Sequence, residues 1–162
     1  MSDPVEDEVF VLTVNGTVHE VACDRDASLL HVLRNRLGLV GARFGCGVGL
    51  CGACFVLLDG HPTPSCDTPI WSAQGHSVVT IEGLGGAAGL HPVQQAFLDE
   101  QAAQCGYCVS GVVVSAAALL TDQPRPAEAD VVAALDRNLC RCGVQRRMVR
   151  AVLRAADESR RS

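Results

Sequence analysis

The sequence predicts an α+β protein: a mixed β-sheet crossed by one helix, followed by a compact bundle of four helices. Three observations carry this. Two β-rich runs flank Asn15-Gly16, a glycine-rich break runs from Gly83 to Gly89, and beyond that break apolar residues recur at helical spacing with no convincing strand. With 162 residues the chain suits one domain or two small ones packed together. The break divides it into a first part, residues 1–83, and a second, residues 84–162.

In order along the chain, residues 9–14 and 17–22 are the two arms of a hairpin, because Asn-Gly is the strongest short signal for a type I′ turn. Asp26 or Ser28 can cap a helix whose Leu29, Leu30, Val32, Leu33 and Leu37 share one face, with Gly38 placed to end it. Residues 55–58 precede Asp59-Gly60 and residues 78–81 precede Glu82-Gly83, so both are expected to be strands ending in turns. Helices are expected over 92–103, 111–120, 127–138 (Pro126 near its start) and 144–156.

Composition excludes several classes of function. Apolar residues make up 48% of the chain but aromatics only 4%, so the core must be built from Val, Leu and Ala. All 13 basic residues are Arg, set against 18 acidic ones for a net charge of −5, which leaves no overall cationic field for nucleic acid. From Arg137 to Ser162, however, eight Arg face only Asp157 and Glu158. That run is either a solvated helix face or a surface for an acidic partner or a cofactor phosphate. The longest nearly apolar stretch, residues 107–120, falls short of the ~20 residues a membrane span needs. The acidic start, residues 1–8, lacks a positive region before an apolar run, so no export signal is expected. The expected location is cytoplasmic, with export or membrane association only alongside a partner.

Nine cysteines without an extracellular signal point to metal or cluster ligation rather than to disulfides. Cys46, Cys51 and Cys54 follow the C-x4-C-x2-C spacing of plant-type [2Fe-2S] sites, with Cys66 as the fourth candidate. Gly45, Gly47, Gly49 and Gly52 let a tight loop turn its N–H groups towards cluster sulfurs. Cys105-Gly106-Tyr107-Cys108 and Cys140-Arg141-Cys142 supply four more. If both pairs open helices, two positive helix ends converge on one place and suit an anionic cluster. A four-thiolate zinc site remains the alternative for either set, and a redox dithiol for the Cys105/Cys108 pair. Cys23 is left over as a small buried hydrophobe, and the scattered His19, His31, His61, His76 and His91 are surface or packing residues.

The segments from Gly45 to Cys54, from Gln104 to Cys108 and from Asn138 to Gly143 resemble the small iron-sulfur subunit of the molybdenum hydroxylases, the xanthine oxidase family. The resemblance runs from about Val9 to Ala156 with three motifs in the right order. It implies a ferredoxin-like β-grasp domain followed by a four-helix domain, each holding one [2Fe-2S] cluster. The run from Ser110 to Leu120 and the ending Cys142-Gly143 resemble the isoquinoline oxidoreductase and nicotinate dehydrogenase branch. The chain departs from that branch at Val109 and over residues 144–147.

The resemblance further implies an oxidoreductase subunit with no substrate site of its own. A large partner subunit would carry molybdopterin, in its cytosine dinucleotide form, and oxidise N-heteroaromatic or aldehyde substrates. Cys105, Cys108, Cys140 and Cys142 would hold the cluster nearer the pterin, with Gln104 hydrogen-bonded to it. The cluster of Cys46, Cys51, Cys54 and Cys66 would face the acceptor, a cytochrome c or a flavin subunit. Two readings compete with it, a free ferredoxin-type shuttle and a zinc-stapled interaction module.

Overall fold

A computed structural model describes residues 7–86 and 89–159. The acidic start up to Glu6, Ala87 and Ala88 of the glycine-rich stretch, and Arg160 and Arg161 of the arginine run lie outside these residues.

Strands β1 (Glu8–Val14) and β2 (Thr17–Cys23) pair antiparallel, placing Phe10 opposite Val21 and Leu12 opposite His19. The turn between them has φ 51° at Asn15 and 76° at Gly16, the two positive values that a type I′ turn requires. Phe10, Leu12 and Val14 alternate into the core while Val9 and Val11 face outward, so one face of the hairpin is apolar by the two-residue period of a strand. Helix α1 (Leu29–Asn35) follows, and Ser28 rather than Asp26 caps it: the Ser28 hydroxyl accepts the His31 N–H at 3.2 Å. Gly38, at φ 70°, turns the chain after it.

Strand β3 (Phe55–Leu58) leads through Asp59-Gly60 into β4 (His61–Pro64), a strand absent from the sequence expectation. Its two prolines and histidine hide the strand signal, and they are tolerated because β4 is the outermost strand of its sheet. After the short helix α2 (Ile70–Ala73), strand β5 (Ser77–Val79) pairs parallel with β1 and antiparallel with β3. The sheet order is therefore β2-β1-β5-β3-β4. The expected strand over 78–81 stops early because Ile81 and the residues after it form a one-turn helix, α3 (Ile81–Leu84). Asn15 sets that switch: its side chain accepts the Thr80 N–H at 2.9 Å and donates to the Thr80 hydroxyl at 3.0 Å.

Two apolar cores result. One lies between the sheet and α1, around Leu12, Leu33, Val56 and Ile70, and the other lies among the later helices. The helices are α4 (Pro92–Asp99), α5 (Val109–Asp122), α6 (Glu128–Leu135) and α7 (Gln145–Glu158). This is the α+β architecture the sequence predicts. Helix α4 ends four residues before its expected limit, because Gln101 adopts φ 48° and Ala102 turns into the core. His91, read from sequence as surface or packing, caps α4 by accepting the Val93 N–H.

Helix α5 is buried from Gly111 to Ala118 because it packs on β3 as well as on its neighbouring helices. Its run of small residues permits this. A Cβ on Gly111 would stand 1.9 Å from the Gly52 carbonyl oxygen, so backbone meets backbone where the two halves join. Gly111→Ala is therefore expected to destabilise the chain by about 1–3 kcal/mol or more through overpacking. In a thermal melt, that appears as a transition lowered by roughly 5 °C or more.

Candidate metal centres

The loop between Gly41 and Cys54 is packed at its two ends, through Ala42, Ala53 and Cys54, and between them glycine conformations shape it. Gly47, Gly49 and Gly52 have φ 73°, 70° and 72°, which an L side chain rarely adopts. A Cβ on Gly45 would meet the Cys51 sulfur at 2.6 Å. The loop consequently turns its amides inward. The Cys46 sulfur accepts N–H groups from Val48 at 3.5 Å, Leu50 at 3.2 Å and Cys51 at 3.4 Å, and the Cys51 sulfur accepts from Cys46 N–H at 3.4 Å. These donors, Val48 first, hold the Cys46 thiol down at about 6. Cys54 experiences the opposite environment. Burial pushes its thiol up to about 12, with the Cys66 thiol within hydrogen-bonding reach and Cys51 near enough to add repulsion. The four sequence-predicted cysteines of the first half thus come together as two neighbouring pairs, Cys46 with Cys51 and Cys54 with Cys66.

The second half repeats the pattern on helices. Cys108 is the N-cap of α5, and Gly106, at φ 80°, bends the turn that brings Cys105 beside it. The Cys140–Cys142 segment stands just ahead of α7, closed by Gln145, whose side-chain amide donates to the Cys140 carbonyl at 3.0 Å. The pairs are Cys105 with Cys142 and Cys108 with Cys140. The Tyr107 N–H, followed by the Cys142 thiol, lowers Cys105, while burial and the adjoining Cys140 push Cys108 up to about 12. Each set therefore has one pair near solvent under backbone N–H groups and one more deeply buried sulfur.

Among the described residues no group of three or more His, Cys, Asp or Glu side chains converges as a single-ion site does. The thiols instead neighbour one another two by two, and two pairs of thiolates are what the two irons of a [2Fe-2S] group take. The all-thiol donor sets, the inward amides and the glycine at the Cys51 sulfur fit a [2Fe-2S] group in each half.

The two sets are joined through backbone. The Leu139 N–H donates to the Cys51 carbonyl at 2.9 Å, and the Asn138 side-chain amide donates to the Gly52 carbonyl at 3.3 Å. A Cβ on Gly52 would lie 2.5 Å from the Arg137 carbonyl oxygen, so this glycine is needed for the approach as well as for its φ. A cavity of ≈490 Å³ lies at the junction, lined among others by Cys46, Cys51, Cys105, Cys108 and Cys140. In the sequence Asn138, Leu139 and Gly111 appear only within the segments that carry the resemblance; their contacts with Gly52 and Cys51 are not signalled by any local pattern, the Asn138 bond spanning 86 residues.

Gln104 lies in the loop after α4, exposed, on an open polar cavity of ≈720 Å³ shared with Arg146, Arg147 and Arg150. Of the other arginines described, Arg137 lies over the Phe55 ring and Arg141 lines the junction cavity, while two on α7 form ion pairs. Arg154 pairs with Asp99 at 3.0 Å and Glu158 at 2.7 Å, and Arg150 with Glu100 at 3.4 Å. Cys23 is buried in the first core and in neither set, with burial raising its thiol. No helix among the described residues is long and apolar enough to cross a membrane.

This fold and these paired thiols define a two-domain iron-sulfur protein. Residues 12–77 match the family described as 2Fe-2S iron-sulfur cluster binding domain, and residues 80–153 match the [2Fe-2S] binding domain family. The chain is 50% identical over 150 residues to a nicotinate dehydrogenase subunit of Pseudomonas putida, covering 93% of this chain and 96% of that one. It is 51% identical over 134 residues to the alpha subunit of isoquinoline 1-oxidoreductase of Brevundimonas diminuta, covering 83% and 88%. The crystal structure of quinoline 2-oxidoreductase from Pseudomonas putida 86 superposes with a TM-score of 0.91 at 33% identity, covering 97% of this chain and 98% of that one. The chain belongs to the small iron-sulfur subunits of the molybdenum hydroxylases, oxidoreductases of the xanthine oxidase family.

Cys23→Ala tests the boundary of the two thiol sets. Iron and acid-labile sulfide per chain should equal those of the wild type, while a small core void lowers stability by about 1 kcal/mol in denaturant unfolding.

Proposed function

We propose that this subunit relays electrons one at a time from a molybdopterin centre on a large partner subunit to an external acceptor. In this reading Cys105, Cys108, Cys140 and Cys142 hold the inner [2Fe-2S] centre, and Cys46, Cys51, Cys54 and Cys66 the outer one. The observation that carries it is the Leu139 N–H to Cys51 carbonyl bond, which joins the residue beside Cys140 to a cysteine of the other set. The proposed division of labour follows the two parts, residues 1–83 bearing the outer centre and 84–162 the inner, with α3 at the join.

When bound, each centre supplies one-electron chemistry, which splits the pair released by a two-electron substrate oxidation. The chain's own residues do the rest. The N–H groups of Val48, Leu50 and Cys51 stabilise negative charge at the Cys46 sulfur and so favour the reduced state there. Buried Cys54 and Cys108 keep water from the inner side of each set. Exposed Gln104, flanked by three arginines, offers its amide to the pterin held by the partner, and the arginines offer charge to its phosphate, in the dinucleotide form with cytosine. Exposed Cys46 lies on the side offered to the acceptor, which we take to be a cytochrome c rather than a flavin subunit. The likeness to nicotinate and isoquinoline oxidoreductase subunits supports an N-heteroaromatic substrate, with an aldehyde as the alternative.

Metal analysis of the purified chain tests the centre of this reading: about four iron with matching labile sulfide supports it, and zinc without sulfide refutes it. Cys51→Ser should remove the outer centre and stop turnover with the acceptor while the partner's molybdenum is still reduced by substrate. Normal multiple turnover in that variant would refute the outer assignment. Gln104→Leu should leave both cluster spectra unchanged. It should slow cluster reduction by substrate, or weaken molybdenum retention, by on the order of tenfold, as expected when a buried polar partner is lost. Stopped-flow reduction measured beside molybdenum content decides it.

A further inference from the structure

Tyr107 stands between Cys105 and Cys108 and reaches from its own cysteine turn to the loop that carries Cys46. Its N–H is directed at the Cys105 sulfur, and its phenolic O–H donates to the carbonyl of Phe44, two residues ahead of Cys46. Its ring lines the ≈490 Å³ cavity at the junction together with Cys46, Cys51, Cys108 and Cys140.

The loop it reaches is buried at Ala42 and Ala53 but exposed along the stretch that carries Cys46. Phe44, Val48 and Leu50 are 61%, 57% and 76% exposed, and the loop owes its shape to glycines. Leu139 and Asn138 tie its later end, at Cys51 and Gly52. The Tyr107 hydroxyl ties its earlier end, so that Cys46 lies between two fastenings to the helical half. Tyr107 is 50% exposed, so burial alone does not fix its ring and the hydroxyl contact adds to what orients it.

We propose that Tyr107 is a positioning residue for electron exchange between the two cysteine sets: its hydroxyl clamps the loop ahead of Cys46 onto the Cys105–Cys108 turn and thereby sets the spacing and relative orientation of the two centres. The proposal rests on the reading that each set holds a [2Fe-2S] group. In the step it serves, one electron would pass from a [2Fe-2S] group held by the inner set, oxidising that group by one, to a group held by the outer set, reducing it by one. No bond forms or breaks and no proton moves. The tyrosine acts only as a hydrogen-bond donor.

The test compares Tyr107→Phe and Tyr107→Ala with wild type in the complete complex with the large subunit. Iron, sulfide and the visible spectra are measured first. Absence of iron and sulfide from the wild type would refute the metal assignment itself, whereas a fully loaded Tyr107→Phe complex isolates the clamp. In both variants the amides of Cys46, Val48, Leu50 and Cys51 should exchange with solvent roughly two- to tenfold faster, the effect of losing one ordinary hydrogen bond. The spin–spin splitting between the two chemically reduced centres should change, and reduction of the outer centre by substrate should slow. A Tyr107→Phe complex with wild-type exchange, splitting and transfer rate overturns the proposal. So does an effect confined to Tyr107→Ala, which would assign the role to ring packing, or faster exchange with unchanged splitting.

Discussion

The hydrogen bond from the Leu139 N–H to the Cys51 carbonyl organises the molecule, because it places the main chain beside one thiol set against the main chain of the other. Side chains could not hold two such sets this close. At the same seam Gly52 faces the Arg137 carbonyl and Gly111 faces the Gly52 carbonyl, each at a separation that a single methyl group would abolish. The rest of the fold serves this approach. Small residues of α5 let the helix lie on β3, and the buried Asn138 amide satisfies the Gly52 carbonyl that the contact takes out of water. From Cys51 to Cys140 the connection is covalent backbone interrupted by one hydrogen bond.

Within each set the protein builds two unlike environments around chemically identical thiols. Cys46 is exposed under three amides, and its thiol is depressed; Cys54 is buried against the sheet core, and its thiol is raised. Cys105 and Cys108 repeat the contrast on the helical side. An anionic cluster placed between such surfaces has hydrogen-bond donors on its solvent side and apolar packing on its inner side. Donation to sulfur and exclusion of water are the two means by which a protein adjusts a cluster potential without touching the metal. The first half obtains its donors from a glycine loop and the second from the turn that opens a helix, so the same electrostatics arises from unrelated local structures.

The arginine run shows how a charge pattern divides between structure and surface. Arg150 and Arg154 reach from α7 across to Glu100 and Asp99 at the end of α4. The first turn of α7 instead turns Arg146 and Arg147 towards the open cavity that Gln104 shares. Exposed ion pairs of this kind contribute little each, so the packing of Met148, Val152 and Ala155 holds the helix and the charges select its orientation.

The sequence by itself determined the hairpin, the capped first helix, the existence of the four later helices and the C-x4-C-x2-C loop, because each rests on short-range chemistry, whereas the joining of Cys105 and Cys108 to Cys140 and Cys142 spans 31 intervening residues and was implied only by the family resemblance. Asn15-Gly16 demands its turn, Asp26 or Ser28 offers the cap, and the C-x4-C-x2-C spacing calls for its loop. Strand β4 was hidden because prolines suppress the strand signal, and only the sheet could supply the edge position that tolerates them. The early end of α4 was equally hidden, since Gln101 takes a positive φ that no local residue type announces and that the burial of Ala102 enforces. Tertiary structure alone decided which thiol neighbours which and how the two sets meet. Those relations depend on Tyr107 reaching Phe44 across 63 residues and Asn138 reaching Gly52 across 86, and contacts at such separations are set by packing rather than by local preference.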